Sequence, residues 1–210
     1  MKLVVFGASG KTGSLLIEQA LASGYEVNAY VRTQESIKLV HPDLKVFVGQ
    51  LSEKSKLRLA ITGADACIST LGGASLTKHS PQIIQGIDNI VSIMEDEKVK
   101  RILYLSSIGA GNSRNYMPQP IRFFIADLML RVPLADHTAN ENRITQSQLE
   151  WTTIRPGGLT DGAKSDNLKH GTENMKMKGN QRISRSNVAA FILNQLTNSN
   201  YVNKSVWLFE

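Results

Sequence analysis

The segment that decides the fold is Gly7-Ala8-Ser9-Gly10-Lys11-Thr12-Gly13, in which three glycines stand at intervals of three residues. An apolar run at residues 3–6 precedes this segment, and an amphipathic pattern at residues 12–23 follows it and ends at Gly24. A strand, a glycine-rich turn and a helix in this order are the context in which such spacing indicates a dinucleotide site. Glycine adopts the unusual φ of a tight turn, and because it has no Cβ a pyrophosphate can approach the backbone.

The start of the following helix completes the predicted phosphate site. Its free N–H groups and the positive end of its dipole both favour an anion, and neighbouring hydroxyl and ammonium groups add hydrogen bonds and charge. The predicted contacts are Gly7, Ser9, Gly10, Lys11, Thr12 and Gly13. The alternative for this motif is a turn that only packs a helix against a sheet.

The end of the second predicted strand discriminates between the two nicotinamide dinucleotides. A carboxylate there binds the ribose 2′-hydroxyl of NAD, whereas an arginine accommodates the 2′-phosphate of NADP. The chain has Val31-Arg32-Thr33 at this point, with no carboxylate before Glu35 and with Lys38 close by. The planar guanidinium of Arg32 suits a phosphate, so we expect NADP(H) in preference to NAD, with Arg32 and Thr33 in contact. An ordinary surface arginine is the alternative.

Apolar runs and helical patterns alternate from this point to the end of the chain. The predicted strands are residues 3–6, 27–31, 44–48, 64–71, 102–105, 151–155 and 206–209. Later helices are predicted to begin at Ser52 and at Ser80-Pro81, to lie around 121–131 and 136–148, and to run from Ser186 to Leu196. The alternation predicts one α/β domain over residues 1–210, with a doubly wound, mostly parallel, Rossmann-like sheet.

Two stretches, residues 108–119 and 157–181, show no clear periodicity. Both follow the carboxyl ends of predicted strands, the edge of an open α/β sheet at which ligands bind. Loops of this length inside a compact domain are often functional. We therefore expect them to form the walls of the substrate site.

The charge balance and the cysteine count limit the partners. The chain has 24 Lys and Arg against 18 Asp and Glu, a net charge of +6. A basic balance suits nucleic acid, an anionic membrane or an anionic cofactor. No long Lys/Arg run or interleaved basic and aromatic pattern occurs, so we expect no nucleic-acid partner. Cys67 is the only cysteine and lies in an apolar run, which excludes an intrachain disulfide and a cysteine-based metal cluster. We expect no metal.

The first predicted strand is too short for the apolar region of a signal peptide or for a membrane span. We therefore expect a cytoplasmic protein with no membrane partner.

An ordered set of segments extends these patterns over nearly the whole chain. The segments are residues 7–13, 31–32, 49–51, 68–72, 105–107, 135–137, 155–158 and 183–189. With them the chain resembles the atypical short-chain dehydrogenase/reductase group that has an NAD(P)H-binding domain, and within it the biliverdin reductase B/flavin reductase proteins. The set is specific for the group and less specific for any one member.

The resemblance implies positions for the rest of the cofactor. Gln50 and Leu51 would lie beside the adenine, although the group usually has Asp where this chain has Gln50. A glutamine carbonyl still accepts a hydrogen bond from the adenine amino group. The other implied contacts are Thr70, Leu71 and Gly72 at the pyrophosphate and nicotinamide ribose, Ser106 near the nicotinamide, and Pro156 and Gly157 on its far side. Strand-end packing is the alternative, most strongly for Leu51 and Gly157.

The resemblance also shows a departure at the catalytic centre. The wider superfamily uses a Tyr-x-x-x-Lys pair, and none of the five tyrosines here is followed four residues later by lysine. Counted back from Arg155-Pro156, the place of the lysine is taken by His137 and that of the tyrosine by Pro133. The resemblance implies that His137 positions the substrate or assists protonation and that Ser107 orients the nicotinamide or the substrate. The alternative for His137 is an exposed histidine at the start of a helix.

The missing pair narrows the chemistry. Reduction of a ketone produces an alkoxide and requires a strong proton donor. A flavin, a quinone or a linear tetrapyrrole delocalises the negative charge, so water or a weak donor is sufficient. We therefore predict an NADPH-dependent reductase of a small, planar, conjugated substrate. Met117, Phe123, Met175 and Met177 are candidates for an apolar wall, with packing as the alternative for each.

A non-catalytic redox sensor that acts through a protein partner, similar to the regulator of nitrogen metabolite repression, is the second hypothesis. A nucleic-acid binder ranks third. We expect a monomer, since the cofactor site is complete within one chain.

Overall fold

A central eight-stranded sheet organises the computed structural model, which describes residues 1–73, 75–172 and 181–210. The strands along the chain are Lys2–Phe6 (β1), Glu26–Val31 (β2), Leu44–Val48 (β3), Ala66–Ser69 (β4), Arg101–Leu105 (β5), Glu150–Pro156 (β6), Gly158–Thr160 (β7), Lys169–Gly171 (β8), Arg182–Ser184 (β9) and Lys204–Phe209 (β10). Their order in the main sheet is β3-β2-β1-β4-β5-β6-β10-β8, and β7 pairs with β9 in a separate small sheet. Every pairing in the main sheet is parallel except that of β10 with β8.

Helices connect these strands. They are Lys11–Ala22 (α1), Lys54–Ile61 (α2), Pro81–Asp96 (α3), Gln119–Ile121 (α4), Arg131–Thr145 (α5) and Arg185–Asn194 (α6). A π-helix over Arg122–Met129 follows α4 directly, and 3-10 turns occupy Gln34–Ser36 and Gly111–Tyr116.

The helices cover both faces of the sheet, as expected for a doubly wound fold. Along β1, Leu3 and Val5 face α1 and α6 in one apolar cluster, whereas Val4 and Phe6 face α2 and α3 in the other. This alternation follows from the two-residue period of a strand, and burial of both faces explains why the strands are almost continuously apolar. The predicted single-domain, Rossmann-like α/β fold is confirmed.

Two helix starts differ from the sequence prediction. Ser52 does not cap α2, because the helix begins at Lys54 and Glu53 is the residue before it. Ser186 does not cap α6 either. The hydroxyl of Ser184, two residues earlier, accepts the N–H bond of Asn187 at 3.2 Å.

Three other boundaries also differ. The helix predicted at 136–148 begins at Arg131 and ends at Thr145. The early start is compatible with Pro133, because this proline falls in the first turn of the helix, where no backbone N–H is needed. The fourth strand is shorter than predicted, Ala66–Ser69. The two stretches expected to lack regular structure contain a 3-10 turn in the first and β7 and β8 in the second. Residues 173–180 of the second stretch, with Met175 and Met177, lie outside the described residues.

The strand order changes direction between β1 and β4. The chain runs outward from β1 through β2 to β3, returns to β4 on the other side of β1, and continues toward β10. Ligands of open α/β sheets bind outside the carboxyl ends of the strands at such a switch point. Here the carboxyl ends of β1 and β4 lead into Gly7 and Thr70. Across the part of the chain that the structure describes, no helix is long and apolar enough to cross a membrane.

Candidate cofactor and active site

The glycine-rich turn at the switch point has the tight geometry that its sequence predicts. Gly7 has φ +79°, and a Cβ there would lie 2.7 Å from Oγ1 of Thr70. A Cβ on Gly13 would lie 2.2 Å from the carbonyl oxygen of Gly7, a contact that excludes any side chain. Gly10 closes the turn by donating its N–H to Gly7 O at 2.9 Å and precedes the first residue of α1. The turn therefore brings the N-terminus of α1 to the end of β1.

Thr70 joins β4 to this turn. Its backbone N–H donates to the carbonyl of Phe6 at 2.9 Å, and its hydroxyl lies 3.1 Å from the carbonyl oxygens of both Phe6 and Gly7. Leu71 and Gly72 continue from Thr70 along the same edge of the sheet. The structure thus brings the predicted phosphate turn and the predicted pyrophosphate and ribose contacts together.

The polar side chains of the turn have different surroundings. Thr12 is buried and Ser9 is exposed. The ammonium of Lys11 pairs with Asp161 at 2.8 Å, and Arg185 pairs with the other oxygen of the same carboxylate. The hydrogen bond from Lys11 is the main cause of a lowered pKa for Asp161. The predicted phosphate contact from Lys11 stays a prediction, with Asp161 as its present partner.

Arg32 and Thr33 lie exposed directly after β2. Among the described residues, no carboxylate pairs with the Arg32 guanidinium, so its charge is available to a ligand. The carbonyl of Thr33 accepts the hydroxyl of Ser36 at 2.6 Å and holds the 3-10 turn that follows.

The predicted adenine segment is held by its backbone. The carbonyl of Gln50 accepts the hydroxyl of Tyr30 at 3.0 Å, and the Gln50 N–H donates to Glu53 at 2.6 Å. These bonds leave the exposed Gln50 side chain at the surface. Burial raises the pKa of Tyr30 to about 12.

Leu51 has a packing role. A Cβ on Gly86 of α3 would lie 2.6 Å from the Leu51 side chain, and Asn89 of the same helix donates to the Leu51 carbonyl at 2.9 Å. The alternative given for Leu51 from the sequence, strand-end packing, accounts for these contacts.

Ser106 and Ser107 follow β5 at the nicotinamide end of the predicted site. Ser106 is 5% exposed, and its hydroxyl has no hydrogen-bond partner in the described ranges. Ser107 is partly exposed and lies 3.2 Å from the carbonyl of Ile108.

Pro156 and Gly157 stand on the neighbouring strand β6 and just after it. A Cβ on Gly157 would lie 2.4 Å from the carbonyl of Gln181. Packing against that backbone therefore explains the glycine without a cofactor.

His137 is partly buried, so the alternative of an exposed histidine is wrong. Its Nδ1 lies 2.8 Å from the hydroxyl of Tyr104, and its Cε1 and Nε2 are the atoms nearest to a Cβ built on Gly72, at 3.9 Å. Burial lowers the pKa of His137 and outweighs the opposing influence of the carboxylates of Glu141 and Asp136. The lowered pKa favours the neutral form of the imidazole, which lies beside the predicted nicotinamide ribose contact.

Side chains that the sequence did not single out hold this region in place. Asp136 accepts the backbone N–H of Ser80 at 2.8 Å and pairs with His79 at 2.5 Å, which fastens the connection between β4 and α3 to α5. Tyr104 and Asn140 are joined at 2.9 Å. In the sequence, the feature that pointed to these contacts was Tyr104 in the apolar run of β5, because a buried phenol requires a hydrogen-bond partner.

A second buried network anchors the 108–119 loop. Arg155 of β6 makes two bonds to Glu141 of α5, at 2.8 and 2.7 Å, and a third to Asn112 at 2.6 Å. Of the predicted apolar wall, Met117 belongs to this loop and is buried in a small apolar cluster with Leu134, and Phe123 is 58% exposed.

The site geometry agrees with the comparison to known families. A model of NAD(P)H-binding proteins matches residues 7–199. The chain belongs to this NAD(P)H-binding family. This match confirms the resemblance to atypical short-chain dehydrogenase/reductase proteins. The chain therefore belongs to a group of oxidoreductases that use NAD(P)H.

Two relatives show how far the sequence similarity extends. The uncharacterized protein YwnB of Bacillus subtilis (strain 168) is 24% identical over 97% of this chain and 96% of its own length. Anthocyanidin reductase of Arabidopsis thaliana is 29% identical over 54% of this chain, which spans 38% of that protein.

Two solved structures share the fold over the whole chain. Anaerobilin reductase ChuY from Escherichia coli O157:H7 has a TM-score of 0.81 and 25% identity, and 97% of it is covered. A short-chain dehydrogenase/reductase from Veillonella parvula DSM 2008, in complex with NADP, has a TM-score of 0.82 and 18% identity, with 94% covered.

Proposed function

We propose that this protein is an NADPH-dependent reductase that transfers hydride to a planar, conjugated acceptor such as a flavin, a quinone or a linear tetrapyrrole. The observation that carries the proposal is the position of His137. In place of the superfamily lysine stands an imidazole whose pKa burial lowers, and it lies beside Gly72 at the edge of the sheet that also holds the glycine-rich turn.

The turn and its surroundings fit a dinucleotide. Gly7 and Gly13 leave no space for a side chain, and Gly10 precedes a helix N-terminus that has no side-chain cap. Unpaired N–H groups at that terminus favour a pyrophosphate. When bound there, the dinucleotide supplies the hydride, and the protein supplies orientation and exclusion of water.

Arg32 supports NADP(H) over NAD(H). It is exposed at the end of β2, and the part of the chain that the structure describes offers it no carboxylate partner. A guanidinium makes charge-assisted, two-point contacts to a phosphate, which NAD(H) lacks at its 2′ position.

The acceptor class follows from the proton donors that are present. Tyr104 lies near His137, but burial raises its pKa well above the ordinary value, so the phenol is a poor acid. A conjugated acceptor spreads the incoming negative charge and needs only a hydrogen-bond donor, which Nε2–H of His137 and the hydroxyl of Ser107 can provide. That one structural relative is a reductase of a tetrapyrrole, ChuY, supports the same class. The protein works as a monomer in this proposal, since all the proposed contacts lie on one chain.

The test is NADPH oxidation by the purified protein against free flavins, quinones and biliverdin, with binding followed in parallel by fluorescence. We expect turnover of at least one acceptor well above the uncatalysed rate.

In His137→Ala we expect turnover to fall about a hundredfold, the usual scale for a positioned donor. The matched control is His41→Ala, which removes a histidine that lies before β3, the strand at one edge of the sheet and away from His137, and leaves turnover unchanged. Tight NADPH binding with no oxidation of any acceptor would instead support the sensor hypothesis. If turnover fell equally in His137→Ala and in the control variant, the role of His137 would be structural.

A further inference from the structure

The hydrogen-bond chain behind His137 carries a further inference, which rests on the proposed reductase function. Tyr104 stands on β5 with its side chain fully buried. Its hydroxyl oxygen lies 2.8 Å from Nδ1 of His137 and 2.9 Å from Nδ2 of Asn140. Both partners belong to α5, where residues three apart share a face of the helix. One buried phenol therefore contacts both side chains.

The number of hydrogens shared by Asn140, Tyr104 and His137 determines the direction of each hydrogen bond between them. A phenol donates one hydrogen bond and accepts others through its oxygen. The amide N–H of Asn140 donates to that oxygen. The hydrogen of Tyr104 is then left for its other neighbour, Nδ1 of His137, which must accept it. A neutral imidazole that accepts at Nδ1 carries its own hydrogen at Nε2.

The opposite edge of the ring lies beside Gly72, the predicted border of the nicotinamide ribose. Cε1 and Nε2 of His137 are the atoms nearest to a Cβ built on Gly72, both at 3.9 Å. We propose that Tyr104 is a positioning residue that holds His137 as a neutral imidazole with its Nε2–H directed toward the bound substrate.

In this arrangement His137 acts as a hydrogen-bond donor and does not give up a proton. The hydride with its two electrons goes to the acceptor, the Nε2–H bond stabilises the negative charge that develops on an acceptor heteroatom, and water supplies the proton. A preorganised donor stabilises such charge without giving up its own hydrogen.

The charged groups around the ring are consistent with a neutral imidazole. Asp136 and Glu141, on the same helix, are the carboxylates that favour the charged form. Each is already engaged, Asp136 by His79 from the β4–α3 connection and Glu141 by Arg155 from β6. Burial dominates, so the pKa of His137 is lowered from its ordinary value.

The first test is the ¹⁵N NMR spectrum of the full chain labelled at histidine, at neutral pH, with the His137 signals assigned by their loss in His137→Gln. We expect an unprotonated Nδ1 and a protonated Nε2. A protonated Nδ1 would overturn the proposal, and this result does not depend on any turnover.

The second test is Tyr104→Phe, which removes the donor to Nδ1. We expect the two tautomers of His137 to become mixed and kcat to fall about tenfold or more, since a histidine in the wrong tautomer is a poor catalyst. KM and NADPH affinity stay unchanged. The matched control is Tyr201→Phe, which removes a bond of the same kind to His170, 2.7 Å long, and leaves kcat unchanged.

A pH profile separates the two roles of His137. A neutral donor gives a level kcat as the pH falls toward 6, whereas an imidazolium acid gives a kcat that rises. Wild-type kcat and an unchanged tautomer in Tyr104→Phe would refute the positioning role even if the protein is a reductase. Failure of every acceptor would refute the proposed function and leave the tautomer result standing.

Discussion

At the residue scale, the preference for NADP(H) depends on Arg32. We predict that Arg32→Ala weakens NADPH binding by about 2 kcal/mol, or roughly thirtyfold, since it removes charge-assisted hydrogen bonds to the 2′-phosphate. NADH binding should not change, because NADH has a hydroxyl at that position. Titration of the fluorescence of each cofactor at fixed ionic strength measures both affinities.

Lys45→Ala is the matched control for that prediction. Lys45 is an exposed cation on β3, the strand next to β2, so its removal lowers the net charge by the same amount. If Lys45→Ala and Arg32→Ala weaken NADPH binding equally, the effect is general electrostatics and Arg32 does not bind the 2′-phosphate.

Single residues also show what the sequence could and could not predict. The glycine-rich turn was predictable because its demands are local, as the 2.2 Å approach of a Gly13 Cβ to Gly7 O shows. The bonds of Tyr104 to His137 and of Asp136 to His79 were not. They join residues 33 and 57 positions apart, and no local pattern encodes such pairs.

At the scale of elements, the buried pair of Arg155 and Glu141 fastens the loop after β5 to β6 and α5. The guanidinium also lies beside Gly111, where a Cβ would approach it to 2.6 Å, and Gly111 has φ +53°. We predict that Arg155→Met lowers the free energy of unfolding by about 3–5 kcal/mol, because it leaves Glu141 charged, buried and unpaired. Urea unfolding followed by circular dichroism measures this.

The double variant Arg155→Met/Glu141→Leu is the control for that pair. Removal of both charges from a buried ion pair costs much less than removal of one, so we expect most of the lost stability to return. A double variant that is less stable than Arg155→Met would contradict this account of the pair.

Helix boundaries were harder to predict than the helices themselves. Ser184 and Ser186 both precede the apolar face of α6, and either serine suits a cap. Glu210, at the far end of the chain, accepts the hydroxyl of Ser184 at 2.8 Å and the side chain of Asn187 at 2.7 Å. This distant contact accompanies the cap at Ser184, and a local pattern does not contain it. The strands β7, β8 and β9 were missed because three residues are too few to show a period.

At the scale of the whole molecule, two histidines, the partly buried His137 and the exposed His170, make stability depend on pH. Burial lowers the pKa of His137 and of His170. The unfolded chain, with histidines near their usual pKa of about 6.5, then binds more protons than the folded chain as the pH falls. We predict a free energy of unfolding that is level above about pH 7 and declines between about pH 6.5 and 5.

Unfolding curves of the wild type and of His137→Gln across this range check the prediction. The variant should show a shallower decline, because one of the two groups no longer takes up a proton on unfolding. Equal slopes would mean that His137 titrates alike in the folded and unfolded chains.

The doubly wound fold was predictable as a whole because the alternation of strands and helices repeats along the entire chain. The position of the site stays a prediction, and the strand order supports it because the ends of β1 and β4 lie together. The chemistry of the site was only partly predictable, since it depends on which side chains α5 and the strand-end loops bring to that edge.

The account is tested most directly by hydride transfer itself. NADPH deuterated at C4 of the nicotinamide should be incubated with the protein and biliverdin, and the reduced tetrapyrrole examined by mass spectrometry and NMR. We predict one deuterium at a single carbon of the product, where it does not exchange with water. Tight binding of NADPH with no deuterium in the tetrapyrrole, and with no NADPH-dependent reduction of a flavin or a quinone, would contradict the reductase account.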